Sequence, residues 1–358
     1  MARKTDKEPV TLKPDFKILL IQFRPAGDVL LLISVVRALK KKYPRCRITF
    51  MVNEKESSLI RDFSLIDSFI LINNINKNNI LNYFRYLLYC LSVYAQSFRN
   101  KYDVVIDFIG NPKSGLAAFL SRAPIRIGRD LGIRRFAYNN IIPPHRDNMN
   151  GVAKRLAHLK PLGIDIEYIS PIINFSDKDL IFANCYIKTL NIAPDQRIVI
   201  IAPNSPRSSR RWKADYFIET GRALIDRYNM KILIAWGPGE EEYSAIIAGC
   251  IGKGAEMIPA ATLTELAAII SMAGLVITND SGVKHMANAA GVGTVTVYGP
   301  TSPYTWNHPD WELNPVIRAE VPCIQCEKNI CSMENHLCME NVAPQIVLSA
   351  VERLIRNS

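Results

Sequence analysis

The run ITNDSGVKHMA at residues 277–287 follows a stretch typical of a β-strand and opens one typical of an α-helix. Backbone N–H groups at a helix start have no partner within the helix, and the helix dipole adds partial positive charge there. Asp280, Ser281 and Gly282 therefore occupy a position suited to a phosphate or diphosphate, and they are the first candidates for a nucleotide-sugar site. The alternative is that Asp280 or Ser281 only caps the helix.

Length and charge limit the class of protein. At 358 residues, 48% of them hydrophobic, the chain suits two domains. No apolar run approaches the roughly 20 residues of a transmembrane helix, and the charged N-terminus has no apolar signal segment, so we expect a cytoplasmic protein. Residues 1–170 contain 28 Lys and Arg against 14 Asp and Glu, whereas residues 171–358 contain 16 against 19. The basic first half should attract a polyanion, which could be nucleic acid, an anionic membrane or a phosphorylated substrate.

Apolar runs of strand length alternate with helix-like runs in both halves, which predicts an α/β fold with two doubly wound, Rossmann-like domains. The expected strands are residues 17–23, 47–52, 102–108, 197–202, 231–236, 274–278 and 294–298, and a single helix is expected at residues 28–42 after the first strand. Ligands bind beyond the carboxyl ends of such strands, so the loops there are expected to line a cleft between the domains. We assign residues 1–175 and 176–342 to the two domains. Residues 343–358 form a C-terminal helix that could pack back on the N-terminal domain.

Six motifs occur in the order found in glycosyltransferase family 9, the heptosyltransferases of lipopolysaccharide core synthesis, and the chain resembles that family from about residue 17 to residue 355. The motifs are RPAGDVL at 24–30, GN at 110–111, PNS at 203–205 with RRW at 210–212, GPGEE at 237–241, NDSG at 279–282, and GPT at 299–301. The resemblance implies a GT-B fold with an acceptor-binding N-terminal domain and a C-terminal domain that binds ADP-heptose.

The same resemblance implies inverting transfer that needs no metal or other cofactor. The expected acceptor is a lipid A core at the inner face of the cytoplasmic membrane, carrying either Kdo alone or heptose already. The basic first half agrees with such an acidic acceptor.

Two residues are implied to act in catalysis. Asp28 matches the aspartate of the family's Gly-Asp-Val motif, and a carboxylate there can remove the proton of the acceptor hydroxyl. Its alternative role is helix capping. Arg210 matches the lysine of the family's Lys-x-Trp pattern and can stabilise the departing diphosphate. Because arginine presents its charge with a different geometry, either Arg210 or Arg211 could make that contact.

The remaining donor-binding candidates surround the same loops. Ser205 can donate a hydroxyl to the diphosphate, and Lys284 could supply a second cation or could be an ordinary solvated lysine. Glu240 and Glu241 can accept hydrogen bonds from ribose hydroxyls, or can merely place favourable charge in a first helical turn.

The acceptor-binding candidates are all basic and lie in the first half of the chain. They are Arg24, Lys113, Arg122, Arg126 and Arg129.

Four cysteines are spaced as Cys323-x2-Cys326-x4-Cys331-x6-Cys338. This spacing could make a structural zinc site, although reduced thiols packed in a loop are the alternative in a cytoplasmic protein.

Two other classes of protein fit less well. A nucleic-acid-binding protein would explain the basic half, but the sequence has no recognisable helix-turn-helix, zinc finger or RNA-binding motif, so no nucleic-acid partner is expected. A dinucleotide-dependent dehydrogenase would explain the α/β pattern, but the first loop has one glycine in place of Gly-x-Gly-x-x-Gly. A family-9-like enzyme that uses another nucleotide sugar stays open, as does the oligomeric state.

Overall fold

The computed structural model describes residues 11–73, 80–144, 149–193, 196–333 and 335–356, without the side chains of residues 80–88, 90, 133 and 134. The chain divides into two compact units between Asn174 and Phe175. Within the described ranges, no helix is both long enough and apolar enough to cross a membrane.

The N-terminal unit is built on a parallel six-stranded sheet with the strand order β3-β2-β1-β4-β5-β6. Its strands are β1 (Lys17–Ile21), β2 (Arg47–Asn53), β3 (Ser68–Ile72), β4 (Val104–Asp107), β5 (Ile125–Arg129) and β6 (Asn140–Ile142). Its helices are α1 (Ala26–Leu31), α2 (Ile33–Lys42), α3 (Glu54–Arg61), α4 (Ile80–Arg99), α5 (Pro112–Leu120) and α6 (Gly151–Leu156).

The C-terminal unit contains a second parallel six-stranded sheet, with the order β12-β11-β10-β7-β8-β9. Its strands are β7 (Ile198–Ala202), β8 (Lys231–Ile234), β9 (Ala255–Met257), β10 (Leu275–Asn279), β11 (Thr294–Tyr298) and β12 (Val316–Arg318). Its helices are α7 (Asp177–Thr189), α8 (Ala214–Tyr228), α9 (Glu241–Ile251), α10 (Leu263–Ser271), α11 (Gly282–Ala289), α12 (Pro303–Trp306), α13 (Leu337–Glu340) and α14 (Pro344–Arg356).

The central strands are buried on both faces, as is usual for a parallel sheet, whose connecting helices cover both sides. Every residue of β7, β8, β10 and β11 is buried. The single helix expected at residues 28–42 is instead two short helices, α1 and α2, which meet at Leu32. The C-terminal helix α14 packs on α8 and contributes Val347, Leu348 and Val351 to the core of the C-terminal unit.

Each sheet has one point where the strand order reverses, between β1 and β4 in the first unit and between β7 and β10 in the second. Ligands of doubly wound folds bind beyond the carboxyl ends of the strands at such a point. The expected α/β architecture with two doubly wound units is confirmed. The two reversal points identify where a site should be sought in each unit.

Candidate active site

Asn279, the last residue of β10, holds together the loops at the reversal point of the C-terminal unit. Its side-chain nitrogen donates to the Pro203 carbonyl after β7 at 2.8 Å, and its side-chain oxygen accepts from the Trp212 amide at 2.9 Å. Asn279 is completely buried, so neither bond competes with water. The Trp212 ring packs in the core, which agrees with a structural role for this residue. The loop that carries Arg210 is thereby fixed beside β10.

Asp280 lies at the centre of a buried charge cluster. Its Oδ2 accepts from Arg210 Nη1 and from Thr301 Oγ1, each at 2.9 Å, and its Oδ1 accepts from Lys284 Nζ. The Lys284 ammonium also donates to the Tyr298 hydroxyl at 2.7 Å. Neither cation is a freely solvated side chain, and Lys284 is completely buried. The interpretation of Lys284 as a solvated lysine is therefore wrong.

The two cations decide the charge state of Asp280. Burial alone would raise the pKa of the Asp280 carboxyl, but Lys284 and then Arg210 outweigh that effect and lower the pKa to about 2. Asp280 is thus ionised at neutral pH. One carboxylate and two cations leave the cluster with net positive charge, which suits an anionic ligand.

The start of α11 is open to a ligand. Ser281 occupies the N-cap position, but no side chain caps the helix, and the Ser281 hydroxyl lies 3.1 Å from that of Thr278. A methyl group added at Gly282 would meet no atom within 4 Å. Neither Asp280 nor Ser281 acts as a capping side chain, so the simple capping role considered for them is wrong. The first backbone N–H groups of a helix have no partner within it, so this uncapped start suits an anion.

Arg210 and Arg211 have different surroundings, which separates the two candidates. Arg210 ends a 3₁₀ turn, Ser208–Arg210, and its Nε is buried with no hydrogen-bond partner among the described residues. A buried unpaired donor on a cation requires an acceptor, and a phosphate oxygen would provide one. Arg211 donates its Nε to the Ser205 carbonyl at 2.7 Å, which stabilises the loop after β7. The Ser205 hydroxyl accepts from the Arg207 amide at 3.4 Å.

Glu240 and Glu241 lie at the start of α9, beyond the end of β8. The Glu240 carboxylate accepts from the Gly237 amide at 2.9 Å and so closes the Gly-Pro-Gly turn. Glu241 is exposed in the first helical turn. Of the two carboxylates, that of Glu241 is therefore more available to a ligand.

In the N-terminal unit, Asp28 is the third residue of α1, and Pro25 occupies the N-cap position. Asp28 therefore does not cap this helix, and the prediction of a capping role is wrong. Its Oδ1 forms an ion pair with Nη2 of Arg155 on α6, and both side chains are largely buried. A second Arg155 nitrogen, Nη1, donates to the Gly151 carbonyl at 2.7 Å. Arg155 thus fixes the orientation of the Asp28 carboxylate.

Charges of both signs act on the Arg155 guanidinium. Burial lowers the pKa of the Arg155 guanidinium, the Asp28 charge opposes this shift, and the nearby charges of Arg24 and Arg129 lower the pKa further. Arg155 thus pairs with Asp28, while the charges of Arg24 and Arg129 act on the same Arg155 guanidinium. An acidic acceptor would be attracted to this cluster.

The other acceptor candidates lie elsewhere in the N-terminal unit. Lys113 is in the first turn of α5 and lines a cavity of about 180 Å³ with Phe23, Asn53 and Tyr94. Arg126 lies near the amino end of β5, and its guanidinium donates to the carbonyls of Ala137 and Ala123. Arg122 lies three residues before that strand, and its guanidinium covers the ring of Phe98. Arg122 and Arg126 are therefore not brought together with Asp28.

The four clustered cysteines are free thiols. Burial raises the pKa of the Cys338 thiol to about 11, and the proximity of Cys323, Cys331 and Cys326 adds to this shift. Across the described part of the chain, no group of three or more His, Cys, Asp or Glu side chains is arranged to hold a metal ion. The zinc interpretation has no support in this geometry.

Sequence reasoning missed three contributors to these clusters. Arg155 is in a short helix where it resembles its neighbour Lys154, and only the packing of α6 against α1 and α2 distinguishes it. Thr301 and Tyr298 were absent from the candidates, although both lie at or just beyond the end of β11. Their position at a strand end was the available signal.

Comparisons with known proteins identify relatives of this chain. The profile of glycosyltransferase family 9 (heptosyltransferase) matches residues 93–337. A lipooligosaccharide heptosyltransferase 2 from Campylobacter jejuni is 27% identical over 192 residues, which cover 52% of this chain and 59% of that protein. The chain thus spans less than two thirds of the length of this relative.

Two solved structures share the fold. A family 9 glycosyltransferase from Veillonella parvula superposes with a TM-score of 0.85 at 21% identity and covers 98% of this chain and all of its own. An E. coli heptosyltransferase solved with ADP-2-deoxy-2-fluoro heptose gives a TM-score of 0.66 at 19% identity, covering 95% of this chain and 99% of its own. These similarities confirm the GT-B fold implied by the motifs. The family profile spans more than half of the sequence, so the chain belongs to glycosyltransferase family 9, the heptosyltransferase family.

Proposed function

We propose that the protein transfers heptose from ADP-heptose to the inner core of lipopolysaccharide, with inversion at the anomeric carbon. The observation that carries this proposal is the buried Asp280 cluster at the open start of α11, with its unpaired Arg210 Nε. Family membership and the heptosyltransferase relatives support the sugar, and the neighbour solved with a fluorinated ADP-heptose supports the donor.

The donor diphosphate is proposed to bind at the start of α11. The backbone amides around Gly282 and the Nε of Arg210 would contact its oxygens, because the start of α11 has no side-chain cap and the Arg210 Nε has no partner among the described residues. Lys284 would act indirectly: it neutralises Asp280 and so keeps the charge of Arg210 available for the ligand. Glu241, and Glu240 where its turn permits, would accept hydrogen bonds from the ribose hydroxyls.

Transfer would begin at the acceptor hydroxyl. Its oxygen attacks the anomeric carbon, Asp28 takes the hydroxyl proton, and the bond to the diphosphate breaks so that ADP leaves with the electron pair. Because Arg155 binds Oδ1, we assign proton removal to Oδ2. Negative charge that develops on the departing diphosphate would be stabilised by Arg210 and the α11 amides. No metal ion is needed for this balance of charge.

The acceptor is proposed to be a lipid A core, carrying Kdo alone or already heptosylated, at the inner face of the cytoplasmic membrane. Its acidic groups would complement Arg155, which pairs with Asp28, and Arg24 and Arg129, whose charges act on Arg155. Lys113 could contact a more distant part of the acceptor, because it lines the neighbouring cavity.

Donor selectivity tests the proposal. The protein is titrated by calorimetry with ADP-heptose, ADP-glucose, UDP-glucose and GDP-mannose, and products with truncated core acceptors are identified by mass spectrometry. We expect the tightest binding for ADP-heptose and a product heavier by one heptose. Preferential binding and transfer of another sugar would instead favour a family 9 enzyme with a different donor.

A further inference from the structure

Helix α5 presents its large apolar residues to solvent. The residues on its inner face are small, since Ser114, Gly115, Ala117 and Ala118 are the buried ones. Leu116, Phe119 and Leu120, spaced i, i+3 and i+4, form a single outward stripe and are 36% to 45% exposed. This arrangement is the reverse of an ordinary surface helix, whose apolar stripe faces the core.

Phe136 extends the stripe by a ring contact, and Phe98 adjoins it through Arg122. The ring of Phe136 packs edge-on against that of Phe119, with centroids 5.5 Å apart, and Phe136 is 57% exposed. Phe98, near the end of α4, is 48% exposed, and the guanidinium of Arg122 lies 5.1 Å from its ring centroid. We call the set Leu116, Phe119, Leu120, Phe136 and Phe98 the α5 surface. Contiguous exposed apolar patches of this kind usually mark interaction sites.

The border of the α5 surface is basic. Arg99, Lys101 and Arg122 are exposed beside Phe98, and the Arg135 side chain next to Phe136 is 63% exposed. Of these four cations, Arg135 forms an ion pair with Asp130 at 3.8 Å. Cations therefore dominate the rim of the patch.

We propose that the α5 surface docks the protein on an anionic phospholipid bilayer. Leu and Phe side chains on one helix can enter the boundary between headgroups and acyl chains, where an amphipathic helix buries its apolar face by about 5–10 Å. The surrounding arginines and lysines remain at the depth of the phosphates. Docking on a bilayer needs no transfer reaction, so it can hold or fail independently of the proposed enzyme activity.

Sedimentation with vesicles tests the docking surface. The full-length protein is mixed with vesicles of phosphatidylcholine alone or of phosphatidylcholine with phosphatidylglycerol, and the bound fraction is measured. We expect binding only with phosphatidylglycerol, and a decrease at high salt because exposed charges are screened. The double variant Phe119→Ser/Phe136→Ser should bind at least tenfold more weakly. Arg99→Ala/Arg135→Ala should lose about fivefold for each removed charge.

Matched controls separate docking from other effects. Ile181 on α7 is 62% exposed in the C-terminal unit, and Ile181→Ser should bind vesicles as the unchanged protein does. Phe119→Ser/Phe136→Ser should keep its ADP-heptose affinity and its turnover on a delipidated, soluble acceptor. If the unchanged protein neither binds ADP-heptose nor turns over the acceptor, the proposed reaction is refuted, whereas vesicle binding is judged separately.

Two results would overturn the docking proposal. One is equal binding of the unchanged protein and of Phe119→Ser/Phe136→Ser to anionic vesicles. The other is a dimer in analytical ultracentrifugation that Phe119→Ser/Phe136→Ser converts to a monomer, because the α5 surface would then join two copies of this chain.

Discussion

Lys284→Leu should strongly destabilise the C-terminal unit. Leucine replaces most of the apolar stem but removes the ammonium group from Asp280 Oδ1 and from the Tyr298 hydroxyl. Breaking a buried ion pair from one side costs about 3–5 kcal/mol. In a domain of this size each kcal/mol lowers the melting temperature by roughly 2–4 °C. We therefore expect a fall on the order of 10 °C in thermal unfolding followed by circular dichroism.

A double-mutant cycle identifies the cause of that loss. Asp280→Asn/Lys284→Leu removes both charges, so its loss in unfolding free energy should be at least about 2 kcal/mol smaller than the sum of the single losses. Lys253 is exposed in the same unit, and Lys253→Leu should change stability by no more than about 0.5 kcal/mol. Lowering the pH should reduce the difference in unfolding free energy between Lys284→Leu and the unchanged protein, because protonation of Asp280 neutralises the carboxylate that lost its partner. A loss below about 1 kcal/mol for Lys284→Leu, or strictly additive losses, would refute the buried pair.

Three further predictions concern the site residues. Asp28→Asn should lower kcat by about a hundredfold or more with donor affinity unchanged in calorimetry, while Glu54→Gln, in the first turn of α3, should retain normal kcat; near-normal turnover of Asp28→Asn would exclude it as the base. Arg210→Ala should weaken ADP-heptose binding by about 10- to 100-fold, and Arg210→Lys should restore part of it; a larger loss in Arg211→Ala would transfer the role to Arg211. Because the Asp280 pKa is lowered from 3.8 to about 2, its ionised carboxylate should add about 2 kcal/mol to the free energy of unfolding above pH 4. This contribution should disappear as the pH falls toward 2. Acid titration of unfolding free energy checks this, and an identical profile in Asp280→Asn would contradict it.

The fold was largely predictable because its central strands are short runs rich in apolar and β-branched residues. β7, β10 and β11 are buried on both faces and read directly as strands. Five strands were missed. β6, β9 and β12 have three residues each and carry too little periodicity to stand out from loops, and the five-residue strands β3 and β5 were missed as well. The division of residues 28–42 into α1 and α2 was also missed, since good helix formers continue through Leu32.

The site was predictable where a motif follows a strand and unpredictable where a partner comes from elsewhere. Asp280 and Arg210 could be named from their local motifs, but their ion pair joins residues 70 positions apart. Arg155 lies 127 positions from Asp28, and no pattern in the sequence links the two. The burial of Lys284 follows from Tyr298 and Asp280 around it, which is a property of packing that a helix-start motif does not encode.

The most direct test of the central claim is the structure of the transfer product. ADP-heptose is incubated with a truncated lipid A core acceptor and either the unchanged protein or Asp28→Asn, and the product is examined by mass spectrometry and NMR spectroscopy. We predict one added heptose whose anomeric configuration is opposite to that in the donor, and no more than about a hundredth of that product rate with Asp28→Asn. A product with retained configuration, or no heptose-containing product from any core acceptor, would contradict the proposed reaction.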